Sequence, residues 1–189
     1  MKKGFFVSCR QSKEQKGLRE ITSKLQAFVE PSVKRQRVCS LEEQLKDEID
    51  EYKNHSKFAK LMEHRCILVI ENKSHESSVS LFNKLREANA AFEYVHRVIP
   101  LERIFPIDDA RIAEGIQGLE HGKSYKIVYE ERMCSAGVKK RVFDVITKNI
   151  CLKVDLEAPD YIIAVQVFKS MFGMSVVMNE HKNFSFSTV

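Results

Sequence analysis

The sequence predicts a mixed α/β (α+β) protein of two successive units, and three observations carry that prediction. Short apolar runs suited to strands alternate with apolar residues spaced three and four apart, the pattern of helices packed on a sheet. That alternation restarts after the punctuation of Pro100 and Pro106. The 189 residues suit one domain or two small ones, and a chain of this size buries roughly 70% of its unfolded surface.

The first unit, residues 1–95, opens with Gly4 to Cys9 as a strand. Leu18, Ile21, Leu25 and Phe28 form a helical stripe that Pro31 closes. Ser40-Leu41-Glu42-Glu43 has the form of a capping box, and Leu41, Leu45, Ile49 and Tyr52 continue one apolar face behind it. The expectation is a long charged helix running to about His64. Cys66 to Ile70 reads as a buried strand; Val79, Phe82 and Leu85 mark a helix, and Glu93 to Ile99 a strand.

The second unit, residues 96–189, begins with a helix expected from about Asp108 to Glu120, stopped at Gly122. Tyr125 to Tyr129 is β-rich, and Val138, Val142, Val145, Ile146 and Ile150 repeat at helical spacing. Two strands complete it, Tyr161 to Val167 and Met174 to Met178, joined by Phe168 to Gly173.

Composition excludes several classes. The chain is 43% hydrophobic and 30% charged, as ordinary globular proteins are, and 31 basic against 26 acidic residues leave it at +5. That charge permits an anionic partner without demanding one. No apolar stretch approaches the 18 residues of a membrane span, and the first ten residues are too short in apolar content for a signal peptide. The expected location is nuclear, nucleolar or cytoplasmic, with no membrane partner. Five cysteines (Cys9, Cys39, Cys66, Cys134, Cys151), odd in number and without a C-x-x-C pair, indicate reduced thiols instead of a disulfide framework or zinc ribbon.

Motifs for catalysis are missing. Neither G-x-G-x-x-G nor G-x-x-x-x-G-K-[ST] occurs, so no nucleotide cofactor is expected and no small-molecule substrate is implied. Gly115-Ile116-Gln117-Gly118 lies in a helical pattern without flanking basic residues and reads as helix packing or a helix end. His64 with Cys66, or Cys9 or Cys151 with some histidine, are better read as core or surface residues than as nucleophile or metal pairs. Glu42, Glu43 and the run Asp47 to Glu51 read as a solvated helix face.

Basic residues say more. Lys139, Lys140 and Arg141 fall between Val138 and Val142, so a helix turns them away from its apolar stripe, with Lys148 on nearly the same side. Lys126 and Arg132 flank the preceding strand, and Lys169 stands in the turn between the last two strands. Together they could line a cationic face that neutralises phosphates and releases counterions. Phe168 and Phe172, bracketing that turn, read as core caps instead of stacking platforms.

From Val98 onward the sequence resembles the THUMP domain. The resemblance rests on Arg97-Val98-Ile99-Pro100-Leu101, on Lys126-Ile127-Val128-Tyr129 with Arg132, and above all on Val154-Asp155-Leu156 followed by Pro159-Asp160 and the strand to Val167. With Gly4 to Cys9, Leu41 to Lys46 and the ending Phe168 to Val177, the chain is similar to the eukaryotic THUMP adaptor of tRNA cytidine acetylation.

The resemblance implies an N-terminal ferredoxin-like domain carrying the inserted long helix, followed by a THUMP domain. It implies a chain that is not an enzyme, needs no cofactor, and presents tRNA, of the serine and leucine types, to an RNA cytidine acetyltransferase for N4-acetylcytidine formation. The acceptor end of the tRNA is the expected contact, and Arg97, Arg103, Lys126, Arg132, Lys139, Lys140, Arg141 and Lys169 are the expected RNA-binding residues. Glu130 and Glu131 depart from the more basic segment of relatives. Two rivals stand beside this reading: a protein-interaction scaffold in RNA or ribosome assembly, and the RNA-binding part of another tRNA-modifying enzyme such as a methyltransferase.

Overall fold

The structure, a computed structural model, describes residues 1–29, 57–181 and 183–187. Its strands are β1 (Lys2–Cys9), β2 (Phe58–His64), β3 (Ile67–Asn72), β4 (Val95–Pro106), β5 (Ser124–Arg132), β6 (Lys153–Val154), β7 (Tyr161–Phe168) and β8 (Met171–Met178). Its helices are α1 (Glu14–Phe28), α2 (Ser78–Glu87), α3 (Asp109–Gly115) and α4 (Val138–Asn149), with a short 3-10 turn at Asn179–His181. The strands form one sheet in the order β2-β3-β1-β4-β8-β7-β5-β6. A mixed α/β (α+β) fold is thus observed.

Sequence and packing meet first in β1, whose residues Phe5, Phe6, Val7 and Cys9 are all buried because the strand lies between β3 and β4 with both faces covered. Ile21 and Leu25 set α1 on the sheet, and Gly17 lets the helix come close: a Cβ there would lie 3.1 Å from the Cys9 Cβ. Ser77 caps α2 by accepting from the Ser80 backbone N–H at 2.9 Å.

The sheet is continuous because β4 is shared. Its pairs with β1 run from Lys2↔Ile104 to Cys9↔Val95, and Arg103 to Pro106 pair with β8. Residues 95–106, the connection between the two sequence units, are therefore one strand. The alternation of β7 then sorts two cores. Ile162, Ala164 and Phe168 join Phe6, Ile99 and Leu101 in the core of the first half, while Ile163, Val165 and Val167 pack with Ile112, Val142 and Ile146 of α3 and α4. The two halves touch directly: the His64 ring lies 5.5 Å from that of Phe168, and Ser175 Oγ donates to the Pro100 carbonyl at 2.6 Å. Beyond β8 the chain returns to the first half. Phe184 and Phe186 are buried against Phe82 and Phe92, and Val98 N–H donates to the Phe184 carbonyl at 3.0 Å.

Several boundaries differ from the sequence expectation. Residues 58–64 are strand β2 and not the end of a long helix, because they give the β3 edge its partner, with Phe58 buried opposite Asn72. The turn Arg65-Cys66 completes that hairpin, with Cys66 at φ 62, so the following strand starts at Ile67. Pro31, the Ser40 to Glu43 capping box and the Leu41 to Tyr52 stripe lie outside the described residues. The helix expected to Glu120 ends at Gly115, since Ile116 turns into the core and Gly118 takes a left-handed φ of 81. The β7–β8 connection shrinks to Lys169-Ser170, because Phe172 is fully buried and continues the ladder.

Candidate nucleic-acid interface

β5 and β7 run parallel with Arg132 beside Phe168, and their carboxyl ends present the most promising group of cations. Lys169, at φ 55 in the tight turn, donates its backbone N–H to the Arg132 carbonyl at 3.1 Å. Cys134 Sγ donates to the same carbonyl at 3.3 Å. The chain then reverses through Gly137, at φ 88, into α4. Lys139, in the first turn of α4, reaches back over the rings of Tyr129 and Phe143 at 6.0 and 5.8 Å. Arg132, Lys139 and Lys169 are exposed, so three of the eight expected residues share one end of the second half. The first turn of α4 has no acidic residue and no side-chain cap. The positive end of the helix thus carries lysines, an arrangement that an approaching anion relieves.

The other five are arranged differently. Arg97 is ion-paired with Glu130. Arg103 Nη1 sits 3.2 Å from Glu114 Oε1, close enough to pair but not aligned as a hydrogen bond. Lys126 Nζ donates to the Leu156 carbonyl at 2.9 Å, toward the opposite end of β5. Arg141 Nε donates to Asp109 Oδ1 at 2.8 Å. Lys140 is exposed and, with Lys148, lines an open groove of about 370 Å³ that also contains Asp109 and Asp144. Each carboxylate lowers the positive potential available to a ligand there.

Of the two acids before Arg132, Glu130 is neutralised by an ion pair, whereas Glu131 keeps its negative charge at the strand end. Glu130 is held by Arg97, and Glu131 accepts from the Tyr129 hydroxyl at 2.5 Å. Burial, together with that carboxylate, pushes the Tyr129 phenol up from its ordinary value, so it stays protonated. Tyr129 and Phe143 were not among the expected site residues. Tyr129 falls on the helix-facing side of β5, a signal legible only once the strand's register is known.

The motif that carries the resemblance is structural. Asp155 accepts from the Glu157 and Ala158 backbone N–H groups, at 2.9 and 3.0 Å, and closes the turn before β7. Asp160 accepts from both the N–H and the hydroxyl of Ser124, at 2.8 and 2.9 Å, and so joins the starts of β5 and β7. These hydrogen bonds hold both carboxyls below their usual range.

Among the described residues no three His, Cys, Asp or Glu side chains gather to hold a metal ion, and no helix is long and apolar enough to cross a membrane. Cys9 is buried, and its thiol is pushed up to about 12 mainly by that burial, with Glu14 and Cys66 adding to it.

Residues 120–177 match the THUMP domain family. No curated protein matches the chain in sequence. Among solved structures, the chain is similar to PH1313 from Pyrococcus horikoshii, at a TM-score of 0.50 and 10% identity over 93% of this chain and 55% of that one. TrmN from Thermus thermophilus matches at 0.45 and 10%, over 91% and 44%, and a possible methylase from Clostridium difficile at 0.48 and 13%, over 93% and 41%. The chain spans about half the length of the solved chains it matches. The expectation that the chain is not an enzyme is not borne out, since the solved structures similar to it include one described as a possible methylase. What residues 120–177 establish is a THUMP domain, a module that points to RNA binding in tRNA modification.

Proposed function

We propose that this chain binds tRNA and holds its acceptor end for a modifying active site, with Arg132, Lys139 and Lys169 meeting the phosphates of the unpaired strand. The observation that carries the reading is the convergence of those three exposed cations at the carboxyl ends of β5 and β7, inside the THUMP domain. A cationic cluster on a rigid strand end neutralises phosphates without reading sequence, which suits a module that positions many tRNAs of one shape. Asp155 and Asp160 support the same reading, since they fix the loop and strand starts that hold β5 and β7 in register.

The modification proposed is N4-acetylation of cytidine by an RNA cytidine acetyltransferase, acting in the nucleus, nucleolus or cytoplasm on tRNAs that include the serine and leucine types. Support for this finer reading is the resemblance over Gly4 to Cys9 and Phe168 to Val177. Methyl transfer is the rival, the chemistry named in the description of the Clostridium difficile neighbour.

One experiment separates them. The purified protein and total tRNA are incubated with the acetyltransferase, acetyl-CoA and ATP, and in parallel with S-adenosylmethionine, and the nucleosides are resolved by mass spectrometry. Acetylcytidine that rises with added chain supports the proposal. A methylated nucleoside appearing only in the second reaction replaces it with the rival.

A further inference from the structure

Two thiols meet where β1 ends and β3 begins. The register of the two strands runs from Gly4↔Glu71 to Ser8↔Ile67, and one step further it sets Cys9 opposite Cys66. Cys9 N–H donates to the Cys66 carbonyl at 3.0 Å, which closes that step. Facing residues joined in this way have Cα atoms about 5.5 Å apart. A disulfide spans roughly 4.4–6.8 Å between Cα atoms, so the two backbones already stand at bonding distance.

Both residues lie beneath the first turn of α1. A Cβ at Gly17 would stand 3.1 Å from Cys9 Cβ and 3.9 Å from its Sγ, so the Cys9 side chain points at the helix. Glu14, one turn earlier on the same helical face, accepts from the Cys66 N–H at 2.9 Å. Cys66 itself has left the extended conformation, at φ 62, so the pleat of β3 does not fix its side chain. The two thiols feel each other, since the Cys66 charge is among the causes that raise Cys9. Their exposure differs. Cys9 is buried and Cys66, at the hairpin turn, is half-buried, so an oxidant in solution meets Cys66 first.

The geometry points to a reversible disulfide between Cys9 and Cys66, an oxidation-sensitive clasp that ties the end of β1 to the β2–β3 hairpin. It stands independently of the RNA-binding reading. The oxidant is a small disulfide such as oxidised glutathione. The Cys66 thiol loses its proton to water and attacks one sulfur of the oxidant, whose S–S bond breaks and releases one glutathione as a thiolate that takes up a proton. Cys9 then loses its proton and attacks Cys66 Sγ, and the second glutathione leaves in the same way. Two cysteine thiols are thereby oxidised to one disulfide while one glutathione disulfide is reduced to two thiols. Burial holds the proton on Cys9, so the second step is the slow one. The new bond closes the chain between residues 9 and 66, which restricts the unfolded state and stabilises the first half.

The test uses the whole folded chain, incubated with oxidised glutathione, alkylated, separated as monomer and digested with trypsin without reductant before mass spectrometry. Cleavage after the flanking basic residues releases Cys9 within residues 4–10 and Cys66 within residues 66–73. These two peptides should appear joined, lighter by two hydrogen atoms than their reduced sum, and the melting temperature of the oxidised protein should rise by several degrees. Dithiothreitol should reverse both changes. Cys9→Ala should stop at the mixed disulfide, with glutathione retained on Cys66 and no rise in melting temperature. Glutathione that stays on Cys66 in the wild type, Cys66 joined to Cys39, Cys134 or Cys151, or thiols that remain reduced would each overturn the inference. A joined pair that leaves the melting temperature unchanged or lower would overturn the clasp.

Discussion

The Arg97 guanidinium pairs with the Glu130 carboxylate, and this contact ties the first-half stretch of β4 to β5 of the second half. Arg97 lies opposite Ser8 on one side of the sheet and Glu130 beside Gln166 on the other, so the pair spans the junction between the halves. Each side chain keeps about a third of its surface in water, 33% and 29%, which limits the stabilisation. A double-mutant cycle with Arg97→Ala and Glu130→Ala, followed by urea unfolding, should give a coupling of about 0.5–1 kcal/mol. Arg97→Ala alone should leave tRNA affinity nearly unchanged, since the guanidinium already has its anion. A large loss of tRNA binding in a folded Arg97→Ala protein would return this residue to the RNA face.

Gly4 and Gly173 are required for a different reason from Gly118. A Cβ on Gly4 would stand 1.9 Å from the Ile70 carbonyl oxygen, a backbone atom that cannot step aside, and one on Gly173 would stand 2.6 Å from Leu101 Cδ1 in the packed contact between halves. Gly118 has open space but a φ of 81. Gly4→Ala should cost about 3 kcal/mol or more, and Gly118→Ala about 1 kcal/mol. Gly173→Ala should fall between them, because a leucine side chain can shift. Chemical denaturation of the three variants orders them, and a Gly4→Ala protein as stable as Gly118→Ala would mean that β1 and β3 separate more easily than their register implies.

Periodicity made most elements legible. The stripe Ile21 and Leu25 in α1, the apolar run of β7, buried along its whole length, and the stripe Val142 and Ile146 in α4 are where local pattern and tertiary burial agree. Residues 58–64 were misread because they form an edge strand whose burial comes from a single partner, with Leu61 and Met62 only half-buried. No strict alternation is then imposed on the sequence. The site was legible only in part. Residue type offered all eight basic residues as candidates alike, and it could not show that Arg97, Arg103 and Arg141 face carboxylates distant in sequence.

Alkaline pH should destabilise the protein through Cys9. Its folded thiol, pushed up to about 12 by burial, stays protonated above pH 9, the ordinary value of the free group. The unfolded state releases that proton first. The stabilisation is therefore complete below pH 9 and falls as pH rises toward 12, with a limiting slope of about 1.4 kcal/mol per pH unit. Burial of Tyr129 adds in the same direction above its own ordinary value of 10. Urea midpoints from pH 8 to 11 should fall less steeply in Cys9→Ala than in wild type. Parallel curves would show that Cys9 ionises as readily folded as unfolded.

The unpaired cations and the paired ones should differ in what they do to tRNA. Arg132, Lys139 and Lys169 are exposed, joined by one backbone contact and one helix turn, and the first turn of α4 beside them contains no acid. A single strand loses about 0.7 in the slope of log K against log salt for each phosphate contact removed. Changing all three to Gln should therefore flatten the slope for a tRNA acceptor end by about 2 and weaken binding at every salt concentration. Changing Arg97, Arg103 and Arg141 to Gln removes the same formal charge, yet each leaves a carboxylate without its partner, so that variant should lose stability while its salt slope changes much less. Filter binding at five salt concentrations, with thermal unfolding of both variants, checks the pair of expectations. If the second variant flattens the slope as much as the first, the ion pairs open to meet RNA, and the interface extends along β4 and α3 instead of ending at the carboxyl ends of β5 and β7.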